Sequence, residues 1–301
     1  MTTTTSPPPI ERPESERAAG GPRGRGQSRL IARLLGAYTW FMIFYLTAPI
    51  LVMIAFGFND THSRVNLRWQ GFTLKWYGRL FDIPDLSQAL RNSLLIALFT
   101  TIISTVLGTM IGLALGRYRF RARGATDLLM FANVAAPELV LGASLLTLFI
   151  TFQFPRGFIT ILLAHVMFTI AYVAVTVRAR LAGFDRTLEE AAQDLGADPW
   201  ATFRKVTLPL IFPGILAGAL LSFALSIDDF VITNFNSGQT QTFPIWVFGA
   251  TRVGVPPQVN VMGTLIFLGG VTLAVIQAVA ARSSRGERSS PLEAPPSARP
   301  D

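Results

Sequence analysis

Residues 190–230 read EAAQDLGADPWATFRKVTLPLIFPGILAGALLSFALSIDDF, a polar stretch that runs directly into a long apolar one. The apolar part, residues 208–230, is long enough to cross the roughly 30 Å hydrocarbon core of a bilayer as a helix. A helix is the expected form, because lipid offers backbone N–H and C=O groups no other partner. This junction between a polar loop and a membrane span decides the fold class.

Further apolar blocks of similar length lie on both sides of this one. Half of the 301 residues are hydrophobic and 15% are charged, whereas soluble domains carry about a quarter charged residues. We therefore predict an all-α integral membrane protein with six transmembrane helices within residues 30–281, between disordered tails 1–29 and 282–301. The other five blocks are 34–58, 94–116, 128–152, 158–177 and 261–281.

Lys and Arg residues concentrate on one set of connecting segments. Of the 26, seven fall in the loops 59–92, 153–157 and 231–260, and 19 fall in the tails and the two remaining loops. Because positive residues stay on the cytoplasmic side, both termini and the loop 178–207 are predicted to be cytoplasmic.

The net charge of +8 and the isoelectric point of about 10.7 do not require a nucleic-acid partner. The Arg residues flank apolar blocks, as membrane topology demands, so nucleic-acid binding is not predicted. The absence of cysteine excludes disulfides, a thiol nucleophile and cysteine-based metal sites. With only His62 and His165, no metal site is predicted either.

The loop 178–207 carries the signals of two short helices joined by a bend. Thr187 and Glu190 fit a capping box at the start of the first helix. Gly196 fits a left-handed end of that helix. Asp198 and Pro199 fit the N-cap and first position of the second.

Each predicted helix of this loop has an apolar face. Two interpretations follow: a surface hairpin that only connects two spans, or a helix presented to a groove on a partner protein. Roughly 30 ordered residues exceed the usual 2–8 between helices, which favours the partner. The apolar positions are Leu188, Ala191, Ala192 and Leu195 in the first helix, and Trp200, Phe203 and Val206 in the second.

The spacing of residues 190–192, Gly196, Val206 and 208–209 resembles the EAA loop of ABC-importer permeases. The family pattern has Ile where this chain has Val206. The resemblance implies a type I importer permease fold in which the loop sits in a cleft of a cytoplasmic ATPase. It assigns ATPase coupling to Glu190, Ala191, Ala192 and Gly196, and we expect Asp198, Leu208 and Pro209 to take part in the same coupling.

This resemblance also implies the partners. The chain has no G-x-x-x-x-G-K-[ST] motif, so ATP is expected to bind a separate chain, and no cofactor is expected here. The family implies a sister permease as heterodimer partner, two ATPase copies and an extracytoplasmic binding protein. The expected location is the bacterial inner membrane.

Further stretches resemble the second permease subunit of polyamine (spermidine/putrescine) importers, and the likeness extends over about residues 34–280. We therefore expect a non-enzymatic subunit that moves polyamines by alternating access. The matching stretches are 66–77, 118–121, 181–185, 225–230 and 253–260.

Acidic and aromatic residues near the spans are candidates for the path of a polycation, through ion pairing and cation–π contact. The candidates are Glu138, Asp228, Asp229 and Trp76. Each has a structural alternative. Glu138 could bind Asn133, either aspartate could cap the fifth span or pair with Arg252, and Trp76 could anchor at the membrane interface, as could Tyr77 and Trp246.

Other functions stay open at this point. Another importer of the class could carry thiamine, a phosphonate or an iron complex. A membrane-embedded enzyme needs a nucleophile and a base in its helices, and His165 alone gives it poor support. A channel would not need a capped cytoplasmic loop.

Overall fold

The computed structural model describes residues 24–63 and 65–286. Contacts divide the chain into two compact units, one that ends at Ala55 and one that begins at Phe56. The described part of the first unit is helical and belongs to α1 (Gly24–Phe56). Within the described residues there is no β-strand, and one isolated bridge joins Asn59 to Phe72.

The second unit is helical almost throughout. Its helices are α2 (Lys75–Gly78), α3 (Pro84–Arg117), α4 (Arg123–Ala135), α5 (Glu138–Thr151), α6 (Phe158–Ala182), α7 (Thr187–Asp194), α8 (Pro199–Thr202), a π turn (Phe203–Thr207), α9 (Leu208–Asp228), α10 (Val231–Asn236), α11 (Phe243–Val253) and α12 (Pro257–Gly286).

The terminal helices extend into the predicted tails. Helix α1 begins at Gly24 and α12 ends at Gly286. Both terminal helices therefore extend a few residues beyond the predicted membrane domain 30–281, and the disorder of the tails stays a prediction. The rest of both tails lies outside the described residues.

Five described helices are long and apolar enough to cross a membrane, and a sixth span results if α4 and α5 are counted together. These two helices meet at an angle of 110°. The prediction of one continuous helix over 128–152 is wrong. Pro137 explains the break, since proline disfavours the helical conformation at the residue before it, and Ala136 is extended (φ −69°, ψ 135°).

Three membrane-length helices, α3, α6 and α9, form the core of the second unit. Helix α3 approaches α6 so closely that a Cβ at Gly108 would lie 2.7 Å from the Cβ of Val173. Between the same helices, the hydroxyls of Ser104 and Thr169 lie 2.8 Å apart and satisfy each other inside the apolar layer. This packing sets where the ends of α3, α6 and α9 lie.

The segment before α3 folds around the buried Asn59. Its side chain donates to Asn66 and to the carbonyl of Arg68, both at 2.7 Å. The indole N–H of Trp76 donates to the Asn59 carbonyl at 2.8 Å. Asn66 N–H donates to the carbonyl of Val255 at 3.3 Å, which ties the first predicted outer loop to the last.

Candidate functional site

The polar loop is an ordered turn between α6 and α9, and most of its predicted caps are present. Gly196 has φ +86° and ends α7 in the left-handed region. Asp198 Oδ1 accepts from the N–H groups of Trp200 (2.8 Å) and Ala201 (2.9 Å) at the start of α8. These caps confirm the bend that the sequence predicted.

Two local predictions for the loop are wrong. Thr187 begins α7 without a side-chain cap, and the carboxylate of Asp185 accepts its N–H at 3.0 Å instead. Helix α8 is not a separate helix, because a π turn joins it to α9 as one apolar segment, Pro199–Asp228. Pro209 lies just past this turn, where its missing N–H interrupts the regular helical bonding.

The outer side of the loop exposes apolar groups. Leu195 is 89% exposed and Trp200 is 68% exposed. The rings of Trp200 and Phe203 stack with centroids 5.7 Å apart. Glu190 and Ala191, from the motif, are exposed as well. A polar loop that presents an apolar surface of this kind is typical of a protein–protein contact.

The inner side of the loop is held by Glu189, which sequence reasoning missed. Its carboxylate accepts from the guanidinium of Arg117 at the end of α3 and from the hydroxyl of Thr207 in the π turn. Partial burial, the largest single cause, raises the pKa of Glu189. The hydrogen bonds from Arg117 and Thr207, together with the positive charges of Arg117 and Arg186, outweigh this effect, and the net pKa lies below its usual range. Glu189 is therefore held as a carboxylate.

Asp229 is a buried structural acid. It is 8% exposed and accepts from the N–H and the hydroxyl of Thr233, both at 2.7 Å, at the start of α10. It also lies 3.2 Å from His165 Nε2 on α6. The partner of Asp229 is thus His165 and not Arg252, whose guanidinium lies over the ring of Phe248.

The group of Ser226, His165 and Asp229 has the composition of a hydrolytic triad. Ser226 Oγ lies 2.8 Å from His165 Nδ1. All three residues are buried, with exposures of 4%, 1% and 8%. The serine hydroxyl is enclosed in this arrangement, so the geometry supports a packed polar network between α6 and the start of α10.

Asp228, by contrast, is exposed. It lines an apolar cavity of about 420 Å³ together with Phe230, Phe243 and Phe248. Among the described lining residues of this cavity, Asp228 is the one that carries a charge. The rings of Phe230 and Phe248 lie 4.7 Å apart. A carboxylate beside aromatic rings suits an organic cation.

The other two path candidates have different surroundings. Glu138 is exposed at the first position of α5, beside the bend, and it is not among the residues that line the cavity of Asp228. Asn133 does not bind Glu138, because its side-chain N–H donates to the carbonyl of Met167 at 2.9 Å. Trp76 does not line the cavity of Asp228. It packs on the cluster of Leu80, Leu86, Val259, Val261 and Met262.

Comparison with protein families gives one match over more than half of the chain. Residues 108–280 match the family described as "Binding-protein-dependent transport system inner membrane component". The match begins in α3, includes the polar loop and ends in α12.

Curated relatives cover most of the chain. This chain is 38% identical over 255 residues to the spermidine/putrescine transport system permease protein PotC of Escherichia coli K12. The alignment covers 84% of this chain and 96% of PotC. The PotC of Haemophilus influenzae is 38% identical, covering 83% and 97%. The putrescine transport system permease protein PotI of Escherichia coli K12 is 40% identical, covering 82% and 88%.

Solved structures share the fold at low sequence identity. A bacterial ABC transporter involved in the import of the acidic polysaccharide alginate aligns with a TM-score of 0.59 at 17% identity, covering 87% of this chain and 98% of that one. An amino acid ABC transporter aligns with a TM-score of 0.53 at 16% identity, covering 70% and 100%.

Proposed function

Because the chain belongs to the family of inner membrane components of binding-protein-dependent transport systems, we propose that the solute it carries is a polyamine. The chain is a permease subunit of an ABC importer and a multi-pass protein of the inner membrane. The relatives at 38–40% identity act in spermidine and putrescine transport. The observation that carries the proposal is the cavity that contains Asp228.

The chemistry of this cavity matches a polyamine. Such a molecule is a chain of methylene groups with ammonium groups at intervals. The apolar wall around Phe230 and Phe243 suits the methylene groups, and the carboxylate of Asp228 suits an ammonium group. The Arg252 guanidinium carbon lies 5.3 Å from the ring centroid of Phe248, and this contact supports the proposal that a cation can pack against the aromatic surface of the cavity.

Glu138 supplies a second carboxylate for the same path. It is exposed at the start of α5, beside the bend between α4 and α5. Two carboxylates from different helices suit a solute with at least two separated positive charges. An anionic solute such as a phosphonate would be repelled by the same pair.

The polar loop supports the proposal for the partners. A separate ATPase would bind ATP and hold the exposed side of the loop, which includes Glu190, Ala191, Leu195 and Trp200. A sister permease would complete the path, two ATPase copies would drive it, and a binding protein would deliver the solute. Movement of the loop would reach the path through the segment Pro199–Asp228, in which α8, the π turn and α9 follow one another without a break.

Reconstitution of the whole importer in liposomes tests the proposal. The complex contains this chain, its sister permease, the cognate ATPase and the binding protein. We expect spermidine or putrescine to stimulate ATP hydrolysis and to enter the lumen, whereas thiamine, a phosphonate and an iron complex do neither. If thiamine, the phosphonate or the iron complex is transported and neither polyamine is, the substrate assignment is wrong, although the assignment as an importer stands.

A further inference from the structure

The carboxylate of Glu189 connects three parts of the second unit. One oxygen accepts from Arg117, the last residue of α3, and the other accepts from Thr207, the last residue of the π turn. Glu189 itself lies in the first turn of α7. The carboxylate therefore joins α3, α7 and the beginning of α9.

This connection is partly shielded from solvent. The side chains of Arg117 and Glu189 are 15% and 16% exposed. The guanidinium of Arg117 also lies 4.6 Å from the ring centroid of Phe184, in the turn before α7. A shielded pair of this kind interacts more strongly than an exposed surface pair, which contributes little.

Helix α7 has few other means of attachment. None of its residues is buried. A cleft of about 400 Å³ lies beside it, lined by residues of α7 and α8 that include Gln193, Pro199 and Thr202. Because no residue of α7 is fully buried, apolar packing contributes little to its position, and the hydrogen bonds of Glu189 link it to α3 and the π turn.

We propose that Glu189 is a positioning residue that makes α7 move together with α3 and the start of α9. The proposal rests on the function proposed above, in which an ATPase acts on this loop. Glu190 and Ala191 face outward toward that partner, and Glu189 faces inward. Without the inward carboxylate, α7 would tilt under load and would transmit less movement to the spans.

The test compares Glu189→Gln with Asp194→Asn in the complete reconstituted importer. Both variants remove one negative charge from α7, but Asp194 is exposed at the other end of the helix. The quantities measured are the amount of co-purified ATPase, the rate of ATP hydrolysis and the solute transported per ATP. For Glu189→Gln we expect wild-type assembly, continued hydrolysis and about a fivefold or larger fall in solute per ATP. Asp194 shares the outward face of Glu190 and Ala191, so its control value lies in the transport ratio: in Asp194→Asn complexes that retain the ATPase, solute per ATP should match the wild type.

Two further variants separate positioning from general damage. Thr207→Val keeps the side-chain shape, removes the hydroxyl and should lower solute per ATP in the same direction. The double variant Arg117→Gln/Glu189→Gln should lose less than the product of the two single losses, because the contact between Arg117 and Glu189 is counted in both single variants.

The proposal is wrong if assembled Glu189→Gln transports as much solute per ATP as the wild type. It is also wrong if the loss in the double variant equals the product of the losses in Arg117→Gln and Glu189→Gln. If Glu189→Gln does not assemble, Thr207→Val and Arg117→Gln decide by the same ratio. A failure of the proposed function is distinct from these results, since the wild-type complex itself would then show no polyamine uptake or no ATPase binding.

Discussion

Two adjacent aspartates, Asp228 and Asp229, have opposite surroundings and should respond differently to the same change. The Asp229 carboxylate accepts hydrogen bonds from Thr233 and lies beside His165 Nε2. In Asp229→Asn an amide replaces it, and because its NH₂ group cannot accept, buried donors of these residues lose a partner. We expect a loss of about 1–3 kcal/mol in the free energy of unfolding, measured by thermal unfolding in detergent. Asp228→Asn should leave that free energy unchanged and should reduce polyamine uptake in liposomes. Equal melting temperatures for the two variants would contradict the buried role of Asp229.

At the scale of elements, the bend between α7 and α8 depends on Gly196. Its φ of +86° strains any residue with a side chain, and its N–H donates to the carbonyl of Gln193 at 2.8 Å. Gly196→Ala should cost about 1–2 kcal/mol at this position. Gly196→Pro adds the loss of that N–H and a fixed negative φ. We expect the proline variant to hydrolyse ATP without transport, as measured by paired hydrolysis and uptake assays.

Gly183→Ala is the matched control for this bend. Gly183 has φ −92°, which any residue adopts, and an added Cβ would meet only the carbonyl oxygen of Arg180, at 4.0 Å. Wild-type transport is expected. Coupled transport by Gly196→Pro would disprove the role of the bend.

At the scale of the whole molecule, the distribution of Lys and Arg predicts which loops lie on which side of the membrane. The chain has no cysteine, so a single introduced cysteine reports its own side. In intact spheroplasts, an impermeant maleimide should label Leu67→Cys, in an exposed position of the first predicted outer loop. It should label Asp194→Cys only after the membrane is permeabilised. The reverse pattern would place the termini and the polar loop outside the cytoplasm.

Local signals made much of the polar loop predictable. Gly196, Asp198 and Pro199 act on backbone groups within a few residues, so their roles follow from the order of residues along the chain. Glu189 was missed because its partner Arg117 is 72 residues away. His165 was treated as a lone polar residue because Asp229, 64 residues away, reaches it only when α6 packs against α9. Spacing on a helix does not reveal such partners.

The sequence by itself determined the membrane class, the apolar spans and the bend at Gly196, because hydropathy and caps depend on neighbours in the chain. Only the tertiary structure decided which member of each adjacent acidic pair faces inward. Glu189 binds α3 and the π turn while Glu190 is exposed, and Asp229 caps α10 while Asp228 lines the cavity. The physical reason is that adjacent side chains have similar local propensities, and the packing of distant helices determines which one finds buried partners.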